Sequence, residues 1–253
     1  MFMLGRHRST ILVFVVAAIV LAACAQLKQC AYEGVNRDDW QQPQRVIAAL
    51  NVRPGDQVAD LGAGSGYFTF RLAEAVGPAG QVYAVDIDRD MVDLIAKRAK
   101  QETAANIDPI LAKPDDPLLP KAGVDLIFTS NTYHHIDNRI AYFSNLRRYL
   151  RPGGRIAIID FDRRSWLMGL FRHYTPSEFI KPEMEQAGYS LKEEFDFLDR
   201  QSFMIFTAKP SLNPDSAVKP SSLERGANLE KRRHSTVKFQ SPFRYFALHH
   251  FES

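Results

Sequence analysis

The sequence predicts an α/β fold: a doubly wound, mostly parallel sheet of seven strands that ends in an antiparallel hairpin. Three observations carry this. Apolar strand-like runs alternate with amphipathic helical runs over residues 57–161, the pattern of a parallel sheet with helices on both faces. The stretch Asp60-Leu61-Gly62-Ala63-Gly64-Ser65-Gly66 lies between the first strand and the helix after it. Near residue 200, two strand-like runs are joined by a turn at Asp199-Arg200, too short for a crossover, so they must be antiparallel.

Each element follows from local pattern. "DDWQQPQRVIAALNV" (38–52) reads as one helix, with Pro43 in its first turn and Val46, Ile47 and Leu50 on its apolar face. "QVADLG" (57–62) is a buried strand, and "YFTFRLAEAV" (67–76) a helix stopped near Gly77-Pro78. "GQVYAVDID" (80–88) is the second strand. "RDMVDLIAKRAKQE" (89–102) is a helix with Met91, Leu94, Ile95 and Ala99 on one face. A weak strand "IDPILA" (107–112), the loop "KPDDPLLPKAG" (113–123) and a strong strand "VDLIFTSN" (124–131) come next. "NRIAYFSNLRRYL" (138–150) is a helix, and "RPGG" (151–154) a turn before the strand "RIAIIDF" (155–161). "TPSEFIKPEMEQAG" (175–188) reads as a helix with Thr175 as its N-cap and Pro176 at its first position. The strands "SLKEEFDFL" (190–198) and "QSFMIFTAK" (201–209) close the domain. Right-handed crossovers between the parallel strands fix the doubly wound arrangement.

The chain has 253 residues, 45% apolar and 24% charged, which are globular values. A net charge of +3, with scattered basic residues, gives no argument for a nucleic-acid partner. Residues 1–23 lie outside the fold. Arg6, His7 and Arg8 precede an uncharged apolar run, Ile11 to Ala23, too short for an ordinary membrane span but the size of a signal-peptide core. The run ends in Leu21-Ala22-Ala23-Cys24, which resembles the lipobox of bacterial lipoproteins. That resemblance implies lipid attachment at Cys24 and membrane attachment in the cell envelope. Ordinary signal cleavage without lipid, or an uncleaved anchor holding the protein on the cytosolic face of the inner membrane, are the alternatives. Residues 24–38 read as a tether, 39–210 as the folded domain and 211–253 as a largely disordered tail rich in Ser, Pro and charge. Cys24 and Cys30 are the two cysteines of the chain, and no metal site can be built from them.

A glycine loop between strand and helix lets backbone approach a ligand where a β-carbon would clash. In open α/β sheets the ligand lies at the carboxyl ends of the strands. Asp86 closes the second strand, where a carboxylate can accept hydrogen bonds from both ribose hydroxyls. The dinucleotide frame G-x-G-x-x-G fails here, because its third glycine falls on Tyr67. The pattern D-x-G-x-G-x-G instead resembles the class I S-adenosylmethionine-dependent methyltransferases, over roughly residues 40–209. The resemblance implies a Rossmann-like methyltransferase fold with S-adenosyl-L-methionine as cofactor. It implies that Asp60 lies near the ammonium end of the cofactor, that Gly62, Gly64 and Gly66 pass beside its methionine and ribose, and that Asp86 holds the ribose. Asp115, in an acid-x-x-x-Leu-Pro spacing, is implied to lie near the adenine, with Asp116 as an adjacent substitute. Asn131, at the end of the fourth strand, completes the cofactor set. "SNTYHHI" and "LRPGGRIAIID" resemble small-molecule methyltransferases of the quinone-biosynthesis group.

Methyl transfer from a sulfonium is an in-line displacement, so the protein chiefly aligns the reactants and excludes water. A base is needed where the acceptor must lose a proton. Candidates are His134 and His135 after the fourth strand, Asp160 and Asp162 after the fifth, and His173 beyond it. Tyr133 either lines the acceptor site or belongs to the core. Asn131-Thr132-Tyr133-His134 stands where enzymes that methylate amino groups of bases or glutamine carry Asn-Pro-Pro-Tyr, which disfavours such acceptors. The expected function is methyl transfer to a small, lipophilic acceptor by a membrane-attached enzyme. A non-catalytic cofactor-binding envelope lipoprotein and an NAD-dependent dehydrogenase are the competing readings.

Overall fold

The computed structural model describes residues 36–162 and 174–210. The signal segment with Cys24, most of the expected tether, His173 and the C-terminal tail lie outside the described residues. In chain order the elements are α1 (Arg37–Gln41), α2 (Pro43–Leu50), β1 (Gln57–Leu61), α3 (Thr69–Val76), β2 (Gln81–Asp86), α4 (Arg89–Gln101) and β3 (Ile107–Leu111). They continue with β4 (Val124–Ser130), a 3₁₀ turn (Tyr133–His135), α5 (Arg139–Leu146), β5 (Leu150–Phe161), α6 (Ser177–Gln186), β6 (Tyr189–Phe195) and β7 (Gln201–Ala208).

The seven strands form one sheet in the order β3-β2-β1-β4-β5-β7-β6. β3, β2, β1, β4 and β5 are mutually parallel, while β7 runs antiparallel to both β5 and β6. Strand order reverses between β1 and β4, so the loops after these two strands diverge and leave a crevice at their carboxyl ends. Side-chain alternation sends β1 to two cores. Val58 joins α2, α3 and α4 on one face through Leu50, Leu72, Val76 and Ile95. Ala59 and Leu61 join α5 and α6 on the other through Phe143, Leu146, Ile180 and Met184. Four of the five β1 residues are buried, as a strand covered on both sides requires.

Four sequence expectations change in detail. The helix expected over 38–52 is two helices, and the first begins inside the stretch read as tether. Pro43 has no amide hydrogen and crowds the residue before it out of the right-handed helical region, so Gln42 sits at φ 45°, ψ 57° and breaks the helix. On α4 the buried set is Met91, Val92, Ile95 and Ala99, with Leu94 only partly covered. "RPGG" lies within β5 as a bulge, where the pairing steps from Val124–Leu150 to Leu126–Arg155. The helix α6 starts at Ser177, with Pro176 rather than Thr175 in the cap position.

The glycine loop is shaped by its neighbours. Gly62 has φ 76°, and a β-carbon there would meet the Thr132 hydroxyl at 2.1 Å, so the loops after β1 and β4 approach as closely as backbone permits. Gly66 has φ 84°, and its missing β-carbon makes room for Phe70 of α3. Among the described residues no helix is long and apolar enough to cross a membrane.

Candidate active site

A cavity of about 1000 Å³ opens over the carboxyl ends of β1, β2, β4 and β5. Its wall follows the strand order. Lys113 and Asp115 stand beyond β3, Asp86 and Ile87 at the end of β2, and Gly62 to Ser65 after β1. Asn131, Thr132, His134 and His135 follow β4, and Phe161 ends β5. Arg37 and Trp40 of α1 line the same cavity, with Trp40 against Phe161 at a ring separation of 5.8 Å. The volume lies at the upper end of ordinary ligand pockets and leaves room for two small molecules side by side.

Asp86 has a double role. One oxygen accepts the Gly64 amide at 2.8 Å and the other the Asp88 amide at 2.9 Å, which ties the loop after β1 to the end of β2. Each carboxylate oxygen retains a second lone pair, so the group can also accept from a vicinal diol at the cavity wall. Beside it Ile87 is 65% exposed, an apolar surface for a flat base next to an acceptor for a sugar. Bare backbone at Gly62 and Gly64, a carboxylate and an apolar shelf together fit a nucleoside cofactor. S-adenosylmethionine would lie with its ribose on Asp86 and its amino-acid end over β1, and when bound it supplies an activated methyl group.

The second feature lies over β4 and β5. His134 Nδ1 is 2.7 Å from Asp160 Oδ1, and the His134 amide donates to Asp160 Oδ2 at 3.1 Å. The Phe161 amide also donates to Asp160 Oδ1, at 2.9 Å. Asp160 is fully buried, and burial pushes its carboxyl above the ordinary carboxylate value while His134 pulls it back. With Asp160 ionised, Nδ1 carries the imidazole proton and Nε2 the lone pair. His135 packs against His134 with ring centres 4.0 Å apart and planes tilted by 45°. From the core side the same turn is pinned by Tyr133, which is buried and donates to Glu183 at 2.6 Å; Arg139 grips Glu183 through two nitrogens at 2.7 and 2.8 Å. Tyr133 is thus a core residue and not part of the cavity wall.

Of the residues singled out in the sequence, Gly62, Gly64, Asp86, Asp115, Asn131, His134 and His135 line the cavity, and Asp160 stands directly behind His134. Asp60, Gly66, Asp116 and Asp162 do not line it. Asp60 shares the face of Val58 and is buried behind the loop, accepting the Thr69 hydroxyl at 2.6 Å. Gly66 is buried against α3. Asp116 is turned away by Tyr149 and Arg148, both of which donate to its carboxylate. Asn131 has φ 58° and accepts from Gln201 at 2.6 Å, which joins the loop after β4 to β7. Sequence reasoning missed Arg37, Trp40, Ile87 and Phe161. The i, i+3 spacing of Arg37 and Trp40 was the available signal, since it places both on one helix face.

The burial of Asp60 has a measurable consequence. Loss of water raises its carboxyl from 3.8 to about 6, against the Thr69 hydrogen bond and Arg37, which lower it. The unfolded chain therefore releases this proton near pH 4 and the folded chain near pH 6, so the folded state loses stability across that interval as pH rises. The loss is at most ~3 kcal/mol. Asp60→Asn removes it. The melting temperature of the variant relative to wild type should climb between pH 4 and 6 and then level off; a flat difference contradicts the assignment.

Comparison with known proteins agrees with this geometry. A family model described as a methyltransferase domain matches residues 53–210. Nocamycin O-methyltransferase from Saccharothrix syringae is 30% identical over 148 residues, 57% of this chain and 53% of that protein. A demethylmenaquinone methyltransferase from Geobacillus is 23% identical over 163 residues, 64% of this chain and 69% of that protein. A ubiquinone/menaquinone biosynthesis C-methyltransferase from Burkholderia vietnamiensis is 29% identical over 118 residues, 47% of this chain and 48% of that protein. The chain thus spans about half the length of the first and third of these relatives. A crystal structure of an S-adenosylmethionine-dependent methyltransferase from Aquifex aeolicus superposes with a TM-score of 0.67 at 22% identity, over 71% of this chain and 96% of that one. Since the family match runs unbroken from before β1 to beyond β7, the chain belongs to the methyltransferase-domain family.

Proposed function

We propose that this enzyme methylates a small, planar, hydroxylated acceptor, and that His134, oriented by Asp160, takes the proton the acceptor must lose. The observation that carries this reading is the 2.7 Å contact between His134 Nδ1 and a fully buried Asp160 at the cavity wall. A buried carboxylate on one ring nitrogen fixes the tautomer and turns the lone pair of the other nitrogen outward from that contact. An amine acceptor that arrives neutral needs no such base. A phenol or enol does, because its oxygen, or the ring carbon conjugated to it, becomes nucleophilic on deprotonation. Trp40 and Phe161 offer flat apolar surfaces for such a ring. Relatives named for methylation of oxygen and of carbon support this acceptor class.

In this mechanism the glycine backbone and Asp86 hold the cofactor, Trp40 and Phe161 hold the acceptor, and Nε2 of His134 accepts the acceptor's proton as its charge develops. Asp60, Gly66 and Asn131 shape the wall without touching the reacting atoms. The test is kinetic, with a catechol or hydroxyquinol panel as acceptors. His134→Gln and Asp160→Asn should each lower kcat by a factor of about 10²–10⁴ with unchanged cofactor affinity. Full activity in His134→Gln would remove the base from this reading.

We also propose attachment to a membrane through the N-terminal segment, by lipid on Cys24 or by an uncleaved anchor. The basic start, the short apolar core and Leu21-Ala22-Ala23-Cys24 support it, and a lipophilic acceptor would be reached there. Mass spectrometry of the mature N terminus from native membranes tests it. A diacylglyceryl-modified Cys24, or an intact N terminus found with the membrane fraction, is the expected result; a chain recovered wholly in the soluble fraction would overturn it.

A further inference from the structure

We propose that Glu183 is a positioning residue for His134: by accepting from Tyr133 and Arg139 together, it fixes from the core side the turn that presents the imidazole to the cavity. The proposal rests on the reading of His134 as the base, and it adds a residue of α6 that does not line the cavity.

His134 and His135 belong to a 3₁₀ turn of three residues, Tyr133–His135. The His135 amide donates to the Thr132 carbonyl at 2.9 Å and the Ile136 amide to the Tyr133 carbonyl at 3.2 Å. So short a 3₁₀ run has too few hydrogen bonds to hold its own geometry, and neighbouring elements must fix it. On the cavity side that neighbour is Asp160, which takes the ring and the amide of His134. On the core side it is Glu183. Tyr133 is fully buried, packs on Phe143 with ring centres 5.1 Å apart, and donates its hydroxyl to Glu183 at 2.6 Å. A shift or rotation of the turn therefore breaks a contact on one side or the other.

The polar groups at Glu183 exceed what packing requires. A phenylalanine would fill the space of the Tyr133 ring without taking a hydroxyl, a carboxylate and a guanidinium out of water. Burial works against the Glu183 carboxylate, yet Arg139 and Tyr133 hold it below the ordinary carboxylate value, so it is charged at neutral pH. Arg139 approaches with two nitrogens, Nε at 2.7 Å and Nη2 at 2.8 Å, a fork that fixes the plane of the carboxylate as well as its place. The oxygen that accepts from Arg139 Nε also accepts from the Tyr133 hydroxyl, so the direction of the phenol is set with it.

This latch joins three elements. Arg139 opens α5, Tyr133 opens the 3₁₀ turn, and Glu183 lies on α6 between Ile180 and Met184, which are buried in the core shared with Ala59 and Leu61. A packed helix is a rigid support, and a reactive side chain is held in productive geometry by such supporting contacts. Glu183 thus acts through Tyr133 on the direction in which His134 points.

The experiment is NMR of the full chain carrying isotope-labelled histidine, followed by kinetics on the same variants. The His134 Nδ1 proton, assigned by its loss in His134→Gln, is held by Asp160 and should be visible in wild type. In Glu183→Gln and in Tyr133→Phe it should exchange with water at least about tenfold faster. Ile180→Val, which trims the same helix without touching the latch, should leave the rate within about twofold. This readout needs no acceptor. With the catechol and hydroxyquinol panel, Glu183→Gln should lower kcat about tenfold at unchanged S-adenosylhomocysteine affinity, and should cause no further loss in the His134→Gln background. Unchanged exchange in both latch variants, equal acceleration in Ile180→Val, or a kcat loss that persists undiminished without His134 overturns the proposal. A wild-type Nδ1 proton that exchanges too fast to detect overturns it as well, since no held imidazole is then present. Full activity in His134→Gln together with the expected exchange pattern would instead overturn the base reading beneath it.

Discussion

The geometry of the site depends on how closely two loops approach where the sheet reverses its order. The loop after β1 reaches the loop after β4 at Gly62, where a single β-carbon would strike Thr132 at 2.1 Å. With that approach allowed, Asp86 can hold the Gly64 amide from β2, and the turn after β4 is placed under Asp160 of β5. A larger residue at Gly62 would have to push the β1 and β4 loops apart. Asp86 and His134 would then separate, because each is held on one side of that contact.

Three buried or half-buried acids act differently because their surroundings differ. Asp60 is enclosed with one hydroxyl donor, and its carboxyl rises to about 6. Asp160 is enclosed with two amides and an imidazole, so burial raises it while three donors oppose the rise. Asp116 is near the surface between Tyr149 and Arg148, and these donors hold it below the ordinary carboxylate value despite some loss of water. The first organises the loop from behind, the second orients the His134 imidazole, and the third fastens the loop after β3 to the end of α5. The same functional group thus serves packing, chemistry and loop anchoring according to what donates to it.

Much of the fold was legible because its signals are local. Period-two and period-3.6 patterns, the Gly62–Gly66 loop and the short turn at Asp199-Arg200 give the alternating elements of a doubly wound sheet with a terminal hairpin. Asp86 was legible as a residue at a strand end. What stayed hidden depends on contacts distant in sequence. Nothing local says that Asp160 meets His134, 26 residues earlier. Nothing local separates Asp115 from Asp116, which is turned away by side chains 32 and 33 positions later. Asp60 was placed at the ligand because it opens the glycine loop; strand alternation sends it instead to the α3 face. Arg37 fell in the expected tether and Trp40 in a single expected helix, because the break at Gln42 that separates α1 from α2 is a tertiary choice that Pro43 permits but does not dictate.

The central claim is that this cavity holds an adenosine cofactor by its ribose on Asp86. The most direct test is calorimetric titration of wild type and Asp86→Ala with S-adenosylhomocysteine, with NAD as the contrasting nucleotide. The account predicts measurable S-adenosylhomocysteine binding that weakens at least tenfold in Asp86→Ala, together with no binding of NAD. Equal binding by the two proteins, or NAD bound in preference, would contradict it.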